Sequence, residues 1–321
     1  MDLLNENIIN EIRKDNCFDF LRYLFAFSLI LAHFCTLTET EQFWFITGSM
    51  RVKAFFTITG FLVTYSFLRR DCNILSYAKK RFARIIPAYI ITIIFCMLTG
   101  WYITSLSFGD FWTSKQTWTY FFSNIFMLNW IEPELPNTFQ ANPWPQMNGS
   151  LWSMKQEVLF YFMVPFLIWG MKKYGKKIIC ISAILLCLII YPYVNIQTQY
   201  FTFFIGGMTL MLFFDIFNKY FTYLFITSLI AFTFYVCESL AFPIILIGIA
   251  YHCKPFNIFR KFDNITYGLF LYHFPVIQLL IHYGVAEYNL TLCFLLTLIT
   301  TSILATLSWF YIEKPLMNKC A

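Results

Sequence analysis

The sequence predicts an all-α, polytopic membrane protein with about ten transmembrane helices and both termini in the cytoplasm. Three observations carry this. Of 321 residues, 59% are hydrophobic, 12% are charged and 40 are phenylalanine, far from the mix of a soluble globular domain. The apolar residues gather into ten runs near the length of a spanning helix, roughly 20 residues. The basic residues fall in alternate connections between those runs.

The runs lie at 18–36, 45–68, 85–105, 150–171, 177–193, 199–216, 221–236, 239–253, 264–283 and 291–312. The seventh and eighth are short, and only "CE" separates them. Arg69, Arg70, Lys79, Lys80, Arg81 and Arg84 fill one connection. Lys172, Lys173, Lys176 and Lys177 fill another, then Lys219 alone, then Lys254, Arg260 and Lys261. The remaining connections are almost bare, with Lys115 alone in the longest. Positive residues favour the cytoplasm, so both ends lie inside and the number of spans is even. The net charge of +6 therefore reports topology, and no nucleic-acid partner is expected. A single integral domain, 1–321, is the simplest organisation.

The polar segment 1–17 has no apolar stretch or cleavage site of a signal peptide, so the first helix is expected to be retained in the cytoplasmic membrane. The ten cysteines are scattered without a CxxC pair. That argues against a disulfide framework, and no metal is expected. The outer connection 106–149 is long and rich in tryptophan and proline. Its stretch "WTYFFSNIFMLNW" is too short to span and is expected to lie at the interface or to re-enter. Its aromatics suit either a headgroup belt or a wall on which sugars stack.

Polar residues inside apolar runs mark candidate chemistry. Arg22 and His33 stand eleven apart on the first helix, within about 20° of one face and roughly 16 Å apart along the axis. Arg22 alone could be an inner-surface anchor, and His33 alone a buried histidine bonded to a neighbouring helix. Together on one face they favour a lined path. In "FFTITGF", Gly60 would let another helix approach closely. Arg81 and Arg84, three apart in "KKRFARIIPAY", share a helix face. They are either ordinary inner-surface charge or a clamp for phosphates, whose geometry the guanidinium fork matches. Glu157, with Tyr161 one turn deeper, is an intramembrane carboxylate, functional unless it forms a structural ion pair. His273, mid-run before Pro275, is a second histidine candidate or a helix-packing group. His252 and His282 sit near run ends. Glu313 and Lys314 in "IEKP" read as an inner-surface anchor.

The stretches "FDFLRYLFAFSLILAHF", "AFFTITGFLVTYSFLRR", "YAKKRFARIIPAY", "SLWSMKQEVLFYFMVP", "YGLFLYHFPV" and "WFYIEKP" occur in this order. Together they resemble the acyltransferase-3 family of integral membrane O-acyltransferases over nearly the whole chain. The family's pattern of an arginine, ten intervening residues and a histidine falls on Arg22 and His33. Its Arg-x-x-Arg falls on Arg81 and Arg84, and its Ser-Leu-Trp…Glu on Ser150, Leu151, Trp152 and Glu157. Thr59 stands where serine is usual. Lys53 stands where an acidic or neutral residue often precedes the paired phenylalanines, which bears on acceptor choice. No esterase-like domain follows the tenth run.

The resemblance implies transfer of an acyl group, most often acetyl from cytoplasmic acetyl-CoA, to a hydroxyl of a surface or exported glycan. The acceptor would be a glycan or a lipid-linked sugar, and the site the inner membrane of a bacterium, in contact with lipid. Arg22, Arg81 and Arg84 would hold the phosphates of acyl-CoA. His33 would be general base or acyl carrier, and Glu157 would orient it or bind the acceptor. Transfer of succinyl or another acyl group, or action on peptidoglycan or a small molecule, are alternatives in the same class. A lipid or glycan transporter is the rival from another class, although the paired interrupted helices of such proteins are not evident.

Overall fold

A computed structural model describes residues 12, 16–41, 46–69, 73–190, 193, 196–234 and 237–319. Most of the polar segment 1–17, and Arg70, lie outside the described residues. Every regular element among the described residues is helical. A helix occupies each of the ten apolar runs: Phe18–Leu37, Gly48–Leu68, Ile74–Ile103, Met154–Tyr174, Lys176–Ile190, Ile196–Leu212, Phe221–Thr233, Glu238–His252, Thr266–His282 and Leu290–Ser308. Three, Phe18–Leu37, Ile74–Ile103 and the continuous stretch Leu290–Lys319, are long and apolar enough to cross a membrane.

Two boundaries differ from the sequence reading. The third helix starts at Ile74, so Arg81 and Arg84 lie inside it and not in the connection before it. The basic turns extend an apolar helix that hydropathy alone starts later. Pro87 is tolerated inside it, although its ring removes one N–H from the ladder. The last helix continues past Ser308 through a π-turn, Trp309–Glu313, into Lys314–Lys319.

The described chain divides into two compact units. One comprises residues 1–25, 48–78 and 157–262, the other 26–47, 79–156 and 263–321. In the first, the helices Gly48–Leu68 and Ile196–Leu212 pack backbone to backbone. A Cβ on Gly60 would overlap the carbonyl of Phe204, and one on Gly207 would overlap the carbonyl of Thr57. The close approach expected at Gly60 is thus a reciprocal glycine contact, the small-residue packing of helices in lipid. Beside it Phe160 stacks on Phe204 at 4.3 Å. Lys53, buried at the start of Gly48–Leu68, donates to both carboxylate oxygens of Glu238, at 2.7 and 2.8 Å.

In the second unit, Gly268 lets Thr266–His282 approach Leu290–Ser308, where an added Cβ would sit 2.7 Å from the Cα of Ala305. The face of Leu290–Ser308 turned into the unit is small or polar: Cys293, Thr297, Thr301, Ala305 and Ser308. Leu292, Leu295, Ile299, Ile303 and Leu307 are exposed. Apolar outside and polar inside is the reverse of a soluble helix and suits lipid. The helix Lys115–Ile125 repeats the inversion, with Thr117, Tyr120, Ser123 and Asn124 buried and Trp118 and Phe122 exposed. At 11 residues it is too short to span.

Candidate active site

Two of the four histidines meet in the second unit. His33, half-buried, and His273, fully buried, lie with Nδ1 of His33 2.6 Å from Nε2 of His273. Their ring planes are 10° apart. The helices that carry them are locked just beyond the two rings by a cluster of Phe34, Leu37, Phe274, Ile277 and Cys293. His273 also bonds through Nδ1 to the carbonyl of Leu269, 3.0 Å away. One orienting partner that the structure gives His33 is therefore a residue 240 positions away.

Pro275 shapes the same helix. It cannot donate to the carbonyl of Leu271, four residues back, and a buried carbonyl left unpaired is costly. The side chain of Asn148 fills the gap, donating through Nδ2 to Leu271 at 2.9 Å. Asn148 is one anchor of a strap, residues 142–150, that runs along this helix. Asn142 donates to the side-chain oxygen of Gln278 at 2.8 Å. Gln278 donates to the carbonyls of Trp144 and, at 2.6 Å, Gln146. Gly149 lies so close that a Cβ would come 2.9 Å from the ring of Phe274. The end of the long aromatic segment is thus fastened to the His273 helix. The sequence reading missed Asn142, Asn148 and Gln278, and Pro275 was the available signal for Asn148.

Pro165 acts likewise in the first unit. It vacates the carbonyl of Tyr161, and the hydroxyl of Tyr77 donates to that carbonyl at 3.0 Å. The hydroxyl of Tyr161 in turn donates to Oε1 of Glu157 at 2.5 Å. Arg22, also in the first unit, bonds Asp19 one turn back at 2.9 Å. The structure thus pairs Arg22 with Asp19, Glu157 with Tyr161 and His33 with His273.

Arg81 and Arg84 stand one turn apart in the second unit. Tyr267, at the start of the His273 helix, donates to the carbonyl of the neighbouring Ile85 at 3.1 Å. Glu313 corrects the sequence reading. It is 1% exposed and is no surface anchor. The π-turn rotates it inward, where Ser308 donates to its carboxylate at 3.0 Å and the charge of Arg84 acts on it. Such turns recur at functional sites. Lys314, by contrast, is a surface group that donates to Asp263 at 3.0 Å, beside the indole N–H of Trp309. The hydrogen bond from Lys314, then that from Trp309, holds the carboxyl of Asp263 below its usual range.

Comparison with known proteins adds the class of chemistry. Residues 15–242 match the profile of the acyltransferase domain of the acyltransferase-3 type. An O-acetyl transferase of Shigella phage Sf6 is 25% identical, the alignment covering 96% of this chain and 98% of that protein. Nodulation protein 10 of Rhizobium leguminosarum bv. viciae is 28% identical, over 94% and 93% respectively. No solved structure matches.

Proposed function

Because the chain belongs to the acyltransferase-3 family and is an acyltransferase, we propose that it is an inner-membrane O-acetyltransferase. It moves acetyl from cytoplasmic acetyl-CoA to a hydroxyl of a surface or exported glycan. The name of the phage relative supports acetyl transfer to oxygen, and the exposed apolar faces support a bilayer setting. In this reading ten helices cross the membrane and both termini are cytoplasmic.

The observation that carries the reading is His33 in hydrogen-bonded contact with a second imidazole. An imidazole near neutral pH can take a proton from a hydroxyl and return it to a leaving group. The acceptor O–H bond breaks as its oxygen attacks the thioester carbonyl, and His33 takes the proton. The C–S bond then breaks, and the departing CoA thiolate recovers that proton as a thiol. If His33 instead attacks the thioester itself, the C–S bond breaks, CoA leaves as its thiolate and an acyl-imidazole forms; the acceptor oxygen then breaks the acyl–nitrogen bond, and the acceptor's proton ends on the thiolate. Arg81 and Arg84 hold the phosphates of the donor.

His33→Ala should remove acetyl transfer, by at least the ~10²–10⁴-fold typical of a general base. The protein should remain inserted and able to bind acetyl-CoA, because in this reading the arginines, and not His33, hold the donor's phosphates. Glycan acetate measured in cells expressing the variant checks this. Full acetylation at normal protein level would sink the assignment.

A further inference from the structure

We infer that His273 is a positioning residue that fixes which nitrogen of His33 does the chemistry, an inference that rests on His33 being the base or carrier. The bond to Leu269 decides the matter. A carbonyl oxygen only accepts, so Nδ1 of His273 must carry the hydrogen in the 3.0 Å bond to Leu269. In the neutral ring, Nε2 of His273 then holds a lone pair. That lone pair faces Nδ1 of His33 at 2.6 Å, so Nδ1 of His33 must be the N–H of that ring. The lone pair of His33 is thereby assigned to Nε2. The chain of donors runs one way, from His33 to His273 to the backbone of Leu269, and the near-coplanar rings suit it.

The consequence is chemical. When Nε2 of His33 takes the acceptor's proton, the ring becomes an imidazolium whose Nδ1–H already points at an acceptor, and that bond becomes charge-assisted and stronger. The same tautomer serves the acyl-carrier route, since Nε2 is then the attacking atom and Nδ1–H stays bonded to His273. The arrangement has the logic of a triad, in which a third group holds the imidazole in one tautomer without touching substrate. Here that group is a histidine, itself held by a helix carbonyl and by full burial.

Two amides separate this role from mere packing. In His273→Asn the side-chain N–H can replace Nδ1 and keep the bond to Leu269, but it ends one atom short of Nε2. In His273→Gln the amide oxygen can stand where Nε2 stood and accept from His33, while the Leu269 bond is lost. The readout is the initial rate of glycan acetylation in membrane vesicles supplied with radiolabelled acetyl-CoA, taken per protein against donor concentration. The expected result is a fall of about 10²-fold in maximal rate for Asn, a much smaller fall for Gln, and an unchanged half-saturating concentration of acetyl-CoA for both. A packing role predicts the reverse order. Gln as inactive as Asn, or Asn as active as wild type, would overturn the inference. If either amide variant does not insert, the other decides alone, by a high rate for Gln or a low rate for Asn at unchanged acetyl-CoA binding. His33→Ala is run beside them. Activity in that variant removes the base reading itself, whereas an inactive His33→Ala with an indifferent His273 removes only the positioning role.

Discussion

His33 and His273 illustrate what one residue reveals before its partner is known. Each is a polar group inside an apolar run, and that alone makes each a candidate. Their pairing over 240 positions has no signature in either stretch, because it is set by how two distant helices cross. Glu157 is the opposite case, since its partner Tyr161 lies only four residues on, while Glu313 was misread for want of the π-turn. The arginines are singled out by type and spacing alone. Arg81 is the cleaner test of a donor site, because loss of Arg84 also removes a charge that acts on buried Glu313. Arg81→Ala should weaken acetyl-CoA binding by about tenfold to a hundredfold, the loss of one hydrogen bond to a charged group at roughly 1.5–3 kcal/mol. Calorimetric titration of the purified protein with acetyl-CoA checks this, and an unchanged Kd would return Arg81 to the role of inner-surface charge.

At the scale of the element, hydropathy marked the ten runs because each is a nearly uninterrupted apolar helix. It placed the start of the third helix late because Lys79, Lys80, Arg81 and Arg84 are polar yet good helix formers. It could not show the π-turn, which depends on where Ser308 and Asp263 hold the end of the last helix. Gly60 was legible as a packing position, and Gly207 supplies the other half of the contact. With each glycine against the other helix's backbone, there is no flexible side chain to yield. Gly60→Ala or Gly207→Ala should therefore destabilise the first unit by at least the ~1–3 kcal/mol typical of overpacking, lowering the unfolding temperature in detergent. Gly109→Ala is the control, since the nearest atom to its added Cβ is 3.9 Å away. Equal unfolding temperatures for all three would mean that the two helices do not meet at these glycines.

For the molecule as a whole, the open question is which way it faces, and two independent patterns bear on it. The basic residues alternate between connections, and this alternation survives only with an even number of crossings. The aromatic segment 106–149 lies in a connection with a single lysine and presents Trp118, Phe122, Phe126 and Trp130 at its surface. In the proposed topology this segment lies on the side away from the basic connections, where tryptophans suit the headgroup region. The acceptor route depends on this assignment, because the strap that ends this segment is fastened to the helix of His273. If residues 106–149 faced the cytoplasm, an exported glycan would have no access along that helix. A cysteine introduced at Phe126, which is 70% exposed, should react with a membrane-impermeant maleimide applied from outside, and one at Lys173 should react only after the membrane is opened. Native cysteines, labelled in parallel, set the background. Labelling of position 126 from the cytoplasmic side alone would invert the topology and remove the outer approach of the acceptor to His33.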